Sequence, residues 1–232
     1  MLLIGGGSLL WQAAAHVARS GHRLDAVCCR PDDPALPRLQ RSGLPVAPVS
    51  RPDSDLPPWI ARCADGLLFS VNNRWLLSDA LLASVPRAFN IHGGLTQHHR
   101  GLAELCVFSA LCEGATGYGV TLHRLAPGQP VDGGEVVDQT RFEIAPQQGF
   151  ADVMTQVIRH CQAIFERQLE AIVAGQEQAR AVPLSAQALG WRDLPALIAR
   201  TPPERLARAR ALGPYAPHFP RLLAPAAVAP AA

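Results

Sequence analysis

The 232-residue chain contains no lysine, and all 21 of its basic residues are arginine. That absence removes a lysine Schiff base and a Walker-type phosphate lysine from the available chemistry. An excess of Ala, Pro and Arg runs through the same sequence, so compositional bias explains the missing lysine without any functional cause. No apolar run approaches the roughly 20 residues that span a bilayer. The start, MLLIGGGSLLW, has neither a basic leading region nor a small-residue cleavage site, which argues against a signal peptide. Six cysteines include no CxxC pair, and Cys28 and Cys29 are adjacent. This usage fits reduced thiols in a cytoplasmic protein better than a disulfide framework. The net charge of +2 gives no broad basic field, so no nucleic-acid partner is expected. Arg205, Arg208 and Arg210 form one small cluster, which reads as a solvated helix face. No internal repeat is present.

What is there suffices for one core domain with a small appendage, since 48% of residues are apolar. Short apolar strands are expected at Leu2–Ile4, Leu24–Cys29, Val46–Val49, Gly66–Val71 and Arg87–His92. Helical segments fall between them, at about Ser8–Ser20, Ala35–Ser42, Pro58–Cys63 and Ser78–Ser84, with Ser8 and Ser78 as candidate caps. Alternation of this kind implies βαβ units and a largely parallel sheet. A helix at Leu102–Cys112 precedes two strands, Tyr118–Leu125 and Glu135–Ile144. The longest helical pattern covers Phe150–Val173, with apolar residues at three- and four-residue steps and Gly175 as its stop. Composition shifts after Gln176, dividing the chain into 1–176 and an extension, 177–232. The extension carries a short strand at Ala179–Pro183, helices near Asp193–Arg200 and Pro203–Ala211, and a tail, AAVAPAA, expected to be disordered.

The glycine run Gly5-Gly6-Gly7 invites a dinucleotide reading. The fingerprint fails, because Leu10 stands where a third glycine is required. A tight strand-to-helix turn explains the run; a phosphate or substrate anion at the helix N-terminus is the functional alternative.

The chemistry concentrates between Phe89 and Val137. Asn90 and His92 lie two residues apart, so an extended strand projects both side chains from one face. Gly93-Gly94 then breaks the strand. Asp132 follows in a Val-Asp-Gly-Gly turn ahead of another strand. His98 and His99 could be imagined joining His92 and Asp132 around a metal, but adjacent residues on an extended loop point in opposite directions, and no metal site is assigned. Cys106 and Cys112 read as core thiols, and His123 as packing or hydrogen-bonding at a strand end.

Asn90-x-His92, the loop ending in Arg100-Gly101, Gly119-Val120-Thr121-x-His123 and Asp132-x-Gly134-x-Val136 together resemble the signature of formyltransferases that use 10-formyltetrahydrofolate. Weaker likeness extends to LFSVNNRWLL upstream and to RARALGPYAPHF downstream, which is similar to the formylation domains of peptide synthetases. The resemblance implies an α/β, Rossmann-like formyltransferase fold, with a mostly parallel sheet flanked by helices and a small C-terminal extension. It implies Asn90, His92 and Asp132 as the catalytic trio. Ser70, Val71, Asn72, Leu95, Val131 and Gly134 would hold the folate. The chain departs from the family's Ser-Leu-Leu-Pro type of loop after the histidine, reading Gly94-Leu95-Thr96-Gln97. Thr96 and Gln97, with Arg100, are therefore expected to face the acceptor. The function implied is formyl transfer to the amine of a small molecule, an amino acid or related intermediate, free or on a carrier protein. A formyl-folate hydrolase releasing formate, or a binding domain without turnover, are the alternatives.

Overall fold

The computed structural model describes residues 1–184 and 187–223; the AAVAPAA tail lies outside the described residues. The first half alternates strands and helices: β1 (Leu2–Gly5), α1 (Gly7–Arg19), β2 (Ala26–Cys29), α2 (Leu36–Arg41) and β3 (Val46–Pro48). Instead of one helix at 58–63, two one-turn helices form slightly earlier, α3 (Pro52–Asp55) and α4 (Pro57–Ile60). Proline opens each of them, and it is tolerated only in a helix's first turn, so the segment restarts instead of extending. β4 (Leu67–Val71), α5 (Asp79–Ala83) and β5 (Arg87–His92) follow, with the Ser78 hydroxyl accepting from Leu81 N at 3.2 Å as the expected cap. The rest comprises β6 (Arg100–Gly101), α6 (Ala103–Glu113), β7 (Gly117–Leu125), β8 (Val136–Glu143), α7 (Phe150–Val173), β9 (Ala188–Leu189), α8 (Leu194–Arg200) and α9 (Pro203–Ala209). The expected strand at 179–183 reduces to a single bridge between Arg180 and Val136.

A seven-stranded sheet runs β3-β2-β1-β4-β5-β7-β8. β1 to β5 are parallel neighbours, and β7 pairs antiparallel with β5. β1, β2 and β4 are buried along their whole length, as strands covered on both faces must be, which is why they read as continuous apolar runs. A Cβ at Gly5 would collide with the Val71 carbonyl oxygen, so only glycine lets β1 end this close to β4. The strand order reverses between β1 and β4, and ligands of open α/β sheets bind at the carboxyl edge near such a switch point.

The chain forms two compact units. The first comprises 1–92, 121–139 and 161–182, and holds the body of the sheet. The second comprises 93–120, 140–160 and 183 onward, a grouping different from the 1–176 and 177–232 division read from composition. In the second unit, α6 is buried from Leu105 to Cys112 and packs against α8 and α9. The arginine cluster is structural there: Arg205 donates to the Glu113 carbonyl, Arg208 to that of Gln148 and Arg210 to that of Leu222.

Candidate active site

Asn90 and His92 close β5 at the carboxyl edge of the sheet, and Asp132 comes from the turn between β7 and β8. All three belong to the first unit. Asp132 has φ 51°, a left-handed conformation that aspartate adopts more readily than most residues. Two residues on, a Cβ at Gly134 would collide with the Arg124 carbonyl oxygen. Glycine there lets the turn draw tight against β7.

The carboxylate of Asp132 is the hub. Asn90 Nδ2 donates to Asp132 Oδ1 at 3.2 Å, and His92 Nδ1 lies 3.4 Å from Asp132 Oδ2. His92 and Asp132 side chains are only 5% and 8% exposed, so water screens this pair weakly. With Nδ1 turned to the carboxylate, proton exchange at His92 falls to Nε2. The geometry supplies an imidazole held in one orientation by an acid, the arrangement general acid–base catalysis requires.

His123 is the residue the sequence reading undervalued. It is wholly buried, and its Nε2 lies 3.1 Å from Asn90 Nδ2 and 3.4 Å from Asp132 Oδ1. Its Nδ1 faces the Arg124 carbonyl oxygen at 3.0 Å, which only an N–H can satisfy. The neutral ring therefore presents Nε2 as an acceptor to Asn90. Both hydrogens of Asn90 Nδ2 are engaged in the resting site, and the contact with a carboxylate fixes which way the amide points. The signal for His123 was its period-two spacing from Thr121 on β7. Thr121 pairs with His92 and His123 with Asn90.

The remaining expected site residues divide between the units. Ser70 and Val71 end β4 in register with Asn90 and Ile91, and both are buried. Asn72 has φ 50° and donates from Nδ2 to the Gly6 carbonyl at 2.9 Å. Val131 is 38% exposed beside Asp132. Leu95, Thr96, Gln97 and Arg100 belong to the second unit. There Leu95 lines a cleft of about 390 Å³ with His98, His99, Tyr118, Arg141 and Phe142. Thr96 is 0% exposed, and the cleft takes Leu95, His98 and His99 from the same loop. Arg100 is buried on β6, which pairs with β9.

The glycine turn is also settled differently. Gly6, not Ser8, is the residue at the N-cap of α1, with no side-chain cap of its own. The Asp33 carboxylate accepts from Gly7 N, at 3.0 Å to Oδ1 and 3.2 Å to Oδ2. The N-terminus of α1 is thus served by the chain's own anion, the role the sequence left open for a phosphate. Burial first, and then the Asp33 charge, push the neighbouring Cys29 thiol up to about 11.

Residues 64–169 match the formyl transferase family, a span that includes Asn90, His92, His123 and Asp132. The chain is similar in structure to a 4-N formyltransferase from Francisella tularensis, with a TM-score of 0.74, 17% identity, and coverage of 92% of this chain and 88% of that one. It is similar to the phosphoribosylglycinamide formyltransferase of Coxiella burnetii, with a TM-score of 0.67, 25% identity, and coverage of 82% and 97%. A third likeness is to the Helicobacter canadensis N-formyltransferase in complex with folinic acid and dTDP-3-aminofucose, with a TM-score of 0.67, 16% identity, and coverage of 83% and 71%. The fold is the α/β fold of these formyltransferases. Among the described residues, no helix is long and apolar enough to cross a membrane.

Proposed function

We propose that the chain moves a formyl group from 10-formyltetrahydrofolate to the primary amine of a small molecule, a reading supported by the match of residues 64–169 to the formyl transferase family. The observation that carries this reading is the Asn90–Asp132–His92 cluster at the end of β5, in which His92 and Asp132 are buried and Asn90 is half-buried.

Attack of an amine nitrogen on the formyl carbon forms a C–N bond and places negative charge on the formyl oxygen. The nitrogen must then lose a proton, and the C–N bond to the folate must break with a proton delivered to the departing nitrogen. His92 suits both transfers through Nε2, with Asp132 holding the ring and stabilising its protonated form. Asn90 can turn one amide hydrogen from His123 or Asp132 to the developing oxyanion, a contribution worth about 3–4 kcal/mol where such donors have been removed. Ser70, Val71, Asn72, Val131 and Gly134 are assigned to the folate, Ser70 and Val71 through backbone atoms at the end of β4. Gln97 and Arg100 remain candidates for the acceptor side. Amino acids and related amines, free or presented by a carrier protein, are the acceptors the reading favours.

The test is incubation with 10-formyltetrahydrofolate and a panel of amines, read by mass spectrometry. An amine gaining the mass of one formyl group supports the reading. Release of formate without any formylated amine would replace it with hydrolysis.

A further inference from the structure

A second cleft, of about 400 Å³, lies in the same unit as the catalytic trio and is lined by Arg30, Pro31, Asp32, Val49, Ser50 and Trp75. These residues follow the carboxyl ends of β2, β3 and β4, so the cleft opens on the same sheet edge as Asn90 and His92. Three strand spacings separate β5 from β2, or about 14 Å. The cleft's floor is Val49, wholly buried. Its wall is the indole of Trp75, packed against the core on its far side. Asn73 fixes Trp75 in place, accepting from its backbone N–H at 3.0 Å and donating to its carbonyl at 3.2 Å. Arg30 is neutralised by a two-point contact with Asp32, at 2.8 and 2.7 Å. The cleft thus offers the aromatic and apolar surfaces of Trp75, Val49 and Pro31 beside a neutralised Arg30–Asp32 pair.

Between this cleft and the trio lies the switch point, where Gly6, Asn72 and Asp33 meet. A Cβ on Gly6 would collide with Asp33 Oδ2, so the carboxylate sits directly against the turn. Asp33 Oδ1 accepts from Gly7 N and Ala35 N, whereas Oδ2, among the described residues, accepts only from Gly7 N, at 3.2 Å. A carboxylate oxygen has two acceptor sites, so Oδ2 can take a further donor. An anionic linker crossing this point would be repelled; an N–H would be held.

We propose that the cleft is a distal subsite for the acceptor, taking an apolar or aromatic group joined to the reacting amine by an uncharged, amide-type linker of about 14 Å. This deepens the formyl-transfer reading and rests on it. Four residues of extended peptide span about 14 Å, whereas a free amino acid cannot reach both places.

The experiment compares glycine amide with Gly-Gly-Gly-Trp amide as acceptors. The wild type should use the longer amine with kcat/KM about tenfold higher, mainly through KM, as burial of one aromatic group predicts. Trp75→Leu strips the wall, and Ser50→Phe fills the cleft from its exposed rim without touching the core. Both should erase the advantage and leave turnover of glycine amide unchanged. Equal efficiency of the two amines in the wild type, or an advantage that survives both substitutions, would overturn the subsite while leaving formyl transfer standing. Calorimetry with N-acetyl-Gly-Gly-Gly-Trp amide, which has no amine to formylate, gives a readout independent of turnover. Binding should weaken about tenfold in Ser50→Phe, and unchanged binding refutes the subsite even if no amine is formylated.

Discussion

Asn90 and His123 stand opposite each other across the antiparallel β5–β7 pair, with Asn90 Nδ2 3.1 Å from His123 Nε2. The carboxamide thereby shares its two hydrogens between a histidine and Asp132, and its position follows from both. His123→Ala leaves one amide hydrogen of the half-buried Asn90 without its acceptor, a loss of about 1–3 kcal/mol. Turnover should fall roughly 5–150-fold, the equivalent of that loss, while the dissociation constant for formyl-folate stays within a few-fold. Equilibrium binding beside steady-state kinetics checks it, and an unchanged kcat contradicts the role given to His123.

Asn90→Ala and His92→Ala should each lower kcat by about 10²–10³, the usual scale for an oxyanion donor or a general acid–base group. Asp132→Asn keeps the side chain's shape and removes the charge that holds His92, so it should depress kcat and leave folate binding largely intact. Near wild-type rates in all three variants would remove the trio from the mechanism.

The strands and the long helix were legible because each is encoded locally. β1, β2 and β4 are apolar runs, and the stripe from Phe150 to Ile172 has the period of a helix that packs along one side. Asn90 and His92 were legible for the same reason, as two residues on one face of one strand. What escaped depends on residues far apart in sequence. Asp33 reaches Gly7 from 26 positions away, so the true partner of α1's N-terminus could not be read from Ser8. His123 meets Asn90 only through the antiparallel register of β7. Thr96 is expected at the acceptor side because it departs from the family's loop, and its complete burial depends on packing that the local sequence does not show.

That burial gives Thr96→Val a different expectation from Gln97→Pro. Thr96→Val should change the acceptor's KM by less than about twofold and act instead on the thermal midpoint, within the few kcal/mol typical of buried substitutions. Gln97 is half-buried on the same loop, and its replacement by proline should raise KM for the acceptor. Kinetics with one fixed amine and thermal unfolding of both variants separate the two. A large KM effect from Thr96→Val would return that residue to the acceptor's surroundings.

The thiols provide a test of the core. Burial pushes Cys28 up to about 12 and Cys161 up to about 12. Only the thiolate reacts with a disulfide reagent, so near pH 8 these two should be modified about 10³-fold more slowly than a free thiol. Their rates should climb as pH rises toward 12, and all six cysteines should react at once in denaturant. Rapid modification of either residue in the native protein at pH 8 would contradict the buried sheet and helix packing described.

The central claim is tested most directly with 10-formyltetrahydrofolate labelled in its formyl carbon. The label should be followed by mass spectrometry into an added amine, with wild type and Asp132→Asn compared at equal folate occupancy. The account predicts that wild-type protein places the label on the amine nitrogen in step with tetrahydrofolate release, and that Asp132→Asn does so at least about a hundredfold more slowly. Label appearing as formate at the same rate with and without amine would contradict it.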